Sequence, residues 1–176
     1  MQNNKTTLIF MAVAFVLFVI VKILPSYKSP PSHTTGKIQL DESVSSDYAF
    51  RNDGKAWIVG VGNETLSVLE IEIASTVLEI DKGLMYRKSM NMNNGMLFVF
   101  RTVELQSFWM KNTYIPLDII FTDAAGVITQ IHENTVPKSV KPITANQPIK
   151  YVLEVNSGFV AKNGIQLGSK LTFEKK

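Results

Sequence analysis

Residues 69–80 read LEIEIASTVLEI, and this stretch decides the fold class because a strand pattern passes directly into the start of a helix. Its apolar residues alternate with two glutamates, which predicts a strand with one buried and one solvated face. Thr76 and Glu79 then match the S/T-x-x-E capping box that begins many helices. The spacing of the following apolar residues predicts a helix over residues 77–87, with Gly83 inside it.

Short apolar segments separated by turn residues lie on both sides of this stretch. Residues 96–100 read MLFVF, a continuous apolar run that predicts a strand buried on both faces. Further strands are predicted at residues 45–51, 55–61, 107–112, 117–122, 127–132, 151–155 and 170–173, with turns at 52–54 and 123–126, a long loop at 133–149 and a short helix near 158–163. The pattern indicates an α+β fold, a strand-rich curled sheet or small barrel with one main helix closing one end.

The N-terminal segment predicts a membrane anchor. Residues 8–24 read LIFMAVAFVLFVIVKIL, with Lys22 as the single charged residue, and a helix of this length spans about 26 Å. We therefore expect a seven-residue tail, a single transmembrane helix, a linker at 25–43 and a globular domain at 44–176. The expected orientation places the domain outside the cytoplasm; the alternative is a cleaved signal peptide and a secreted domain.

Charge and composition exclude several kinds of site. The chain has 18 Lys and Arg against 15 Asp and Glu, and the first 33 residues hold three lysines and no acid, so the remainder is formally neutral. A nucleic-acid partner is therefore not expected. The absence of Cys excludes disulfides, thiolate nucleophiles and sulfur-based zinc sites. His33 and His132 alone do not make a metal site, so neither metal nor cofactor is predicted.

Several segments resemble the domain of unknown function 192 family. The resemblance rests on GLMYR, NGMLFVF, FWMKNTYIPLDIIFTDAAGVI, YVLEVNSGF and GIQLGSKLTF, which follow one another in the family's order over about residues 67–173. Members are mainly prokaryotic and often exported or membrane-anchored, which agrees with the predicted anchor. The resemblance implies no particular reaction, since no activity is established for the family.

The candidate catalytic residues are Asp118, Lys111 and Glu154. Asp118 is expected to pair with Lys111 across a hairpin or with Arg87 from the helix, and burial of such a pair would make it a plausible acid–base couple. Glu154 could face the same cleft as Asp118, where two carboxylates would permit general acid–base work, but the favoured interpretation is a solvent-side partner for a lysine. The favoured interpretation of these ion pairs is nevertheless structural, because Lys-Asp and Arg-Asp pairs in small β domains more often fix a loop than catalyse a reaction.

The candidate ligand-binding residues are Arg87, Trp109, Asn112 and Thr113. A polar cluster directly after an aromatic side chain suits a binding surface, but Asn-Thr is also ordinary turn chemistry. Trp109 and its two neighbours are apolar, and the favoured interpretation of that run is core packing.

Three functional hypotheses follow from the sequence. The favoured one is a membrane-tethered extracytoplasmic binding or accessory domain, which touches the bilayer through residues 8–24 and holds a small molecule, an envelope polymer or a membrane protein. It is favoured because no complete nucleophile–base arrangement is present. The alternative is a hydrolase or transferase that uses Asp118 with Lys111, Arg87 or Glu154. The third is a purely structural role.

Overall fold

A computed structural model describes residues 49–176 of the chain. The predicted tail, anchor and linker, and the first part of the predicted strand at 45–51, lie outside the described residues. Between residues 49 and 176, no helix is both long enough and apolar enough to cross a bilayer.

Most of the described chain forms one sheet of seven strands. The sheet has the order β6-β5-β8-β3-β2-β1-β9, and β4 pairs with β7 in a separate ribbon. All the neighbouring pairs are antiparallel except β2 and β3, which run parallel because helix α1 crosses between them. The elements are β1 (Gly54–Val59), β2 (Thr65–Ala74), α1 (Val77–Lys82), β3 (Asn94–Glu104), β4 (Ser107–Phe108), β5 (Leu117–Thr122), β6 (Ile128–His132), β7 (Ile143–Thr144), β8 (Ile149–Asn156), α2 (Phe159–Lys162) and β9 (Lys170–Lys175).

The sheet curls so far that its two edges meet. Backbone hydrogen bonds join residues 126–128, at the start of β6, to residues 168–171, at the start of β9. Gly126 permits this approach: it has a φ of +80°, and a Cβ there would come within 2.3 Å of the Leu171 carbonyl oxygen. The prediction of a strand-rich curled sheet is thereby confirmed.

The curled sheet has a separate hydrophobic core on each face. The inner core fills the concave side and includes Phe159 and Val160 of α2. The outer core covers the convex side, which we call the outer face, and contains Phe98, Phe121 and Met110. The residues that cover the outer face come from the loops around β4 and β7 and from the segment after α1. No residue of α1 is buried, so α2 rather than the main helix packs into the interior of the sheet.

Three predicted elements differ from the structure. The predicted hairpin of strands 45–51 and 55–61 is wrong from residue 49 onward, because β1 pairs instead with β2 and β9. The capping box of Thr76 and Glu79 is confirmed, but the helix ends at Lys82, five residues before the predicted end, because Gly83 has a φ of +46°. The predicted strand at 107–112 is reduced to β4, because residues 111 and 112 form a turn in which Asn112 has a φ of +57°.

Candidate functional site

Two glutamates lie on the outer face in one row across the sheet. The register places Glu72 of β2 beside Met96 of β3, and Met96 beside Glu154 of β8. Two strand spacings separate the two glutamates, which corresponds to about 10 Å between their backbones. Both are buried, with 2% of Glu72 and 5% of Glu154 exposed. The row therefore brings two acidic side chains into the same apolar layer.

Glu72 is neutralised by Arg87, which lies in the segment after α1. The Arg87 guanidinium donates to Glu72 Oε1 at 3.0 Å and lies 2.7 Å from Glu72 Oε2. The backbone N–H of Arg51 also donates to Glu72 Oε1. The sequence pattern predicted that this glutamate lies on a solvated face, and that prediction is wrong. Its burial is possible because Arg87, 15 residues away in sequence, supplies the counter-charge.

Glu154 has no such partner among residues 49–176, where no hydrogen bond or ion pair reaches its carboxyl group. Burial in the apolar layer raises the pKa of Glu154 from 4.5 to about 8, because the charged form loses its hydration. At neutral pH this carboxyl group is therefore mostly protonated. Its register opposite Met96 and Ile119 directs it to the outer face, away from the inner core.

A cavity of about 430 Å³ lies over Glu154 on this outer face. Aromatic rings form much of its wall, and Glu154 is the buried acid in its lining. The polar part of the lining also includes Gln106, Ser107 and the buried Thr113. The remaining lining residues are Ile80, Asp81, Lys82, Gly83, Leu84, Met85, Phe98, Phe100, Phe108 and Trp109.

Two loops form a rim of aromatic and cationic side chains beside the cavity. Trp109 is 50% exposed, and Lys111 Nζ lies 5.2 Å from the centre of its ring. Lys138 Nζ lies 5.1 Å from the Tyr114 ring in the same way. The two loops are joined by backbone hydrogen bonds, one of them from the Lys138 N–H to the carbonyl of Thr113. We call residues 109–114 and 136–141 the aromatic rim.

Asn112 connects this rim to the segment after α1. Its side-chain amide donates to the Tyr86 hydroxyl at 2.8 Å, and its backbone carbonyl oxygen accepts from the Tyr86 backbone N–H at 2.7 Å. Tyr86 itself has a φ of +64° and makes an edge contact with Tyr114. Asn112 thus holds the two walls of the cavity together, a structural task that its position in a tight turn allows.

Asp118 is fully buried and faces the inner core. Its carboxylate accepts hydrogen bonds from the backbone N–H groups of Asn134 at 2.9 Å and Val160 at 3.0 Å, which fixes a loop and the first turn of α2. Neither predicted pairing is found, since Arg87 binds Glu72 and Lys111 lies over Trp109. Asp118 and Glu154 also do not share a cleft: Asp118 lies opposite Val155, so alternation along β8 puts the two carboxyl groups on opposite faces.

The cavity thus brings together three of the predicted site residues, Glu154, Trp109 and Thr113. Arg87 lines a smaller neighbouring cavity of about 250 Å³, while Lys111 lies at the aromatic rim. Core packing was the favoured interpretation for Trp109, and its exposure contradicts that. The phenylalanine walls were not predicted, although the alternation of Met96, Phe98 and Phe100 places all three on one face of β3. No group of three acidic or histidine side chains in residues 49–176 could hold a metal ion.

Comparisons with known proteins agree with this fold. Residues 58–173 match the model of the DUF192 family, described as "Uncharacterized ACR". A solved structure of a candidate transcription regulator from Sinorhizobium meliloti 1021 is 38% identical, with a TM-score of 0.67, over 72% of this chain and 95% of that one. A protein of unknown function from Novosphingobium aromaticivorans DSM 12444 is 36% identical, with a TM-score of 0.64, over 67% and 83%. The search of curated proteins found no match.

Proposed function

This chain belongs to the domain of unknown function 192 family, for which no activity is established, and we propose that its domain binds a small molecule in the cavity beside Glu154. The observation that carries the proposal is a buried carboxyl group without a partner in the described chain, at the wall of an aromatic cavity. Ligand sites commonly combine apolar walls with a few polar groups of this kind. A strongly perturbed ionisable group in a cleft supports the same conclusion.

The energetic cost of Glu154 argues against a purely structural role. Burial raises the pKa of Glu154 to about 8, so the folded chain must hold the proton of a group that ionises freely in the unfolded chain, and this lowers the stability of the fold at neutral and alkaline pH. Glu72 shows the contrasting case, since an arginine compensates its burial. A side chain that weakens the domain and points into a cavity is more easily explained by a ligand than by packing.

We further propose that the domain works at a membrane, held there by residues 8–24 and placed outside the cytoplasm. The apolar length of that segment supports the tether. The aromatic rim supports it independently, because tryptophan, tyrosine and lysine are typical of surfaces that meet lipid headgroups. Extraction of membranes at alkaline pH should leave the full chain in the pellet, and a compartment-specific reporter at the C-terminus should be active only outside the cytoplasm.

Binding can be tested with the full chain in detergent micelles and phenethyl alcohol as a neutral probe. Met85 lines the cavity, whereas Met92 is 42% exposed and lies outside its lining. In an NMR titration of protein with isotope-labelled methionine methyl groups, Met85 therefore serves as the reporter and Met92 as the internal control. The proposal predicts a saturable shift of the Met85 methyl signal, assigned with Met85→Leu, and little change for Met92. Equal and non-saturating shifts of both signals would contradict it.

An enzymatic role is the second candidate, because a carboxyl group with a pKa of about 8 is suited to general acid–base catalysis near neutral pH. It now depends on Glu154 together with the Ser107 or Thr113 hydroxyl groups of the same cavity, and no longer on Asp118. Hydrolysis of 4-nitrophenyl acetate above the buffer rate, and its loss in Glu154→Gln, would favour this role over binding alone.

A role in transcription, as in the description of the Sinorhizobium protein, has less support in this chain. The 18 basic and 15 acidic side chains leave residues 34–176 formally neutral, because three of the lysines precede them. Binding to nucleic acid generally requires a basic surface.

A further inference from the structure

We propose that the ligand of this cavity is an organic cation, an amine with an apolar body whose ammonium group binds the Glu154 carboxylate. The inference rests on the proposed function and names the ligand class of that same site. Three observations carry it: the unpartnered acid, the aromatic walls and the balance of charge around them.

The first observation is the chemistry of the buried acid. Glu154 is 5% exposed, and no hydrogen bond or ion pair to its carboxyl group is found among residues 49–176. A carboxylate in an apolar layer is stable only when a positive group compensates its charge, as Arg87 does for Glu72. A bound ammonium group would supply both the counter-charge and the hydrogen-bond donors that Glu154 lacks.

The second observation is the aromatic wall. Phe98 and Phe108 contact each other at 5.1 Å between ring centres, and Phe100 lies 6.2 Å from Phe108. Ring faces attract cations, and the attraction grows when water is excluded. The aromatic rim already holds ammonium groups in this way, since Lys111 lies over Trp109. The cavity lining combines the same kind of aromatic surface with the Glu154 side chain.

The third observation is the distribution of charge around Glu154. In helix α1, Asp81 and Lys82 line the cavity with opposite charges. Strands β3, β4 and β5 contribute no ionisable residue next to Glu154, either in the row or in the cavity wall. Glu72 with Arg87 on the β2 side and Lys111 at the rim are each engaged in their own contacts. Glu154 is the buried acid of the cavity lining, whereas Asp81 is exposed to solvent.

Binding of a cation must release a proton near neutral pH. Glu154 carries its proton below about pH 8, and it must lose that proton to the solvent before it can pair with the ammonium group. The affinity for an amine should therefore rise about tenfold per pH unit between pH 6 and 7.5 and level off above about pH 8. The affinity for a neutral ligand should fall or stay constant over the same range.

Three probes that share one phenyl-ethyl body test this: phenethylamine, phenethyl alcohol and 3-phenylpropionate. Calorimetric titration of the full chain in micelles, in two buffers of different ionisation enthalpy, gives the affinity and the number of protons released. We expect phenethylamine to bind at least tenfold more tightly than the alcohol at pH 8, with close to one proton released at pH 6.5. Glu154→Gln should abolish the pH dependence, while the exposed Glu174→Gln serves as the matched control and should behave as the wild type.

The outcomes separate this inference from the proposed function. If phenethyl alcohol binds in the cavity but phenethylamine binds no more tightly and shows no pH dependence, the ligand class is wrong and the binding function stands. Tighter binding of 3-phenylpropionate would likewise overturn the inference, because an anion would then be the preferred ligand. If none of the three probes binds, the proposed function fails and the inference fails with it.

Discussion

Replacement of Glu154 by glutamine should stabilise the domain increasingly as the pH rises. In the folded chain the pKa of Glu154 is raised to about 8 by burial, whereas the unfolded chain keeps a value near 4.5. The unfolded state therefore loses its proton first, and the folded state loses stability as the pH rises from 4.5 to 8. At about 1.4 kcal/mol per pKa unit, the cost is about 3 kcal/mol at pH 7 and about 5 kcal/mol above pH 8. Glutamine has the same shape and does not ionise.

The assay is urea denaturation of the full chain in micelles, followed by tryptophan fluorescence at several values between pH 5 and 9. The difference in the free energy of unfolding between Glu154→Gln and the wild type isolates this one group, because all the other titrating groups are common to both proteins. It should be about 1 kcal/mol at pH 5 and grow to about 4 kcal/mol at pH 8. Glu174→Gln, on the exposed strand β9, should show a small and constant difference. If the difference for Glu154→Gln does not change with pH, then burial does not raise the pKa of Glu154 and the reasoning is refuted.

Three further substitutions test other parts of the structure. Arg87→Met should lower the free energy of unfolding by about 3–5 kcal/mol, because Glu72 is left buried without its counter-charge, and Glu72→Gln in the same chain should restore part of it. Gly126→Ala should cost clearly more than Gly158→Ala in denaturation, since both have φ near +80° but the latter position has open space around it. Asp118→Asn should lower the melting temperature yet leave phenethylamine affinity unchanged in calorimetry, because its carboxylate bonds to backbone N–H groups outside the cavity.

The sequence predicted well those elements whose signals are local. The capping box of Thr76 and Glu79 lies within four residues, and the strands at 96–100 and 117–122 are marked by their own apolar runs. The end of α1 was misplaced because Gly83 is compatible with both a helix interior and a helix end, and contacts with the rest of the fold select between them. Its Cα lies so near Phe98 that a Cβ would be 3.3 Å from that ring.

The closure of the sheet could not be predicted, because it depends on backbone bonds between residues about 40 positions apart. The burial of Glu72 could not be predicted either, because it also depends on contacts with residues distant in sequence. The alternation in β2 places this glutamate on the face opposite the isoleucines, but whether that face meets water depends on the segment after α1 and on Arg87.

The sequence identified some residues of the candidate cavity, but not how they are arranged on the sheet. Glu154 and Trp109 were named from the sequence, and the structure places both in one cavity lining. A shared cleft for Glu154 and Asp118 was considered, since one-dimensional spacing does not say which face of a strand two carboxyl groups share. Only the register between β5 and β8 shows that Asp118 lies opposite Val155 and so faces the inner core.

A crystal structure of the protein grown with saturating phenethylamine tests the central claim most directly. We expect electron density for the probe in the cavity over Glu154, with the amine nitrogen about 2.7–3.2 Å from a carboxylate oxygen and the phenyl ring against Phe98 and Phe108. A cavity that holds only solvent under these conditions, or a probe bound elsewhere on the domain, would contradict it.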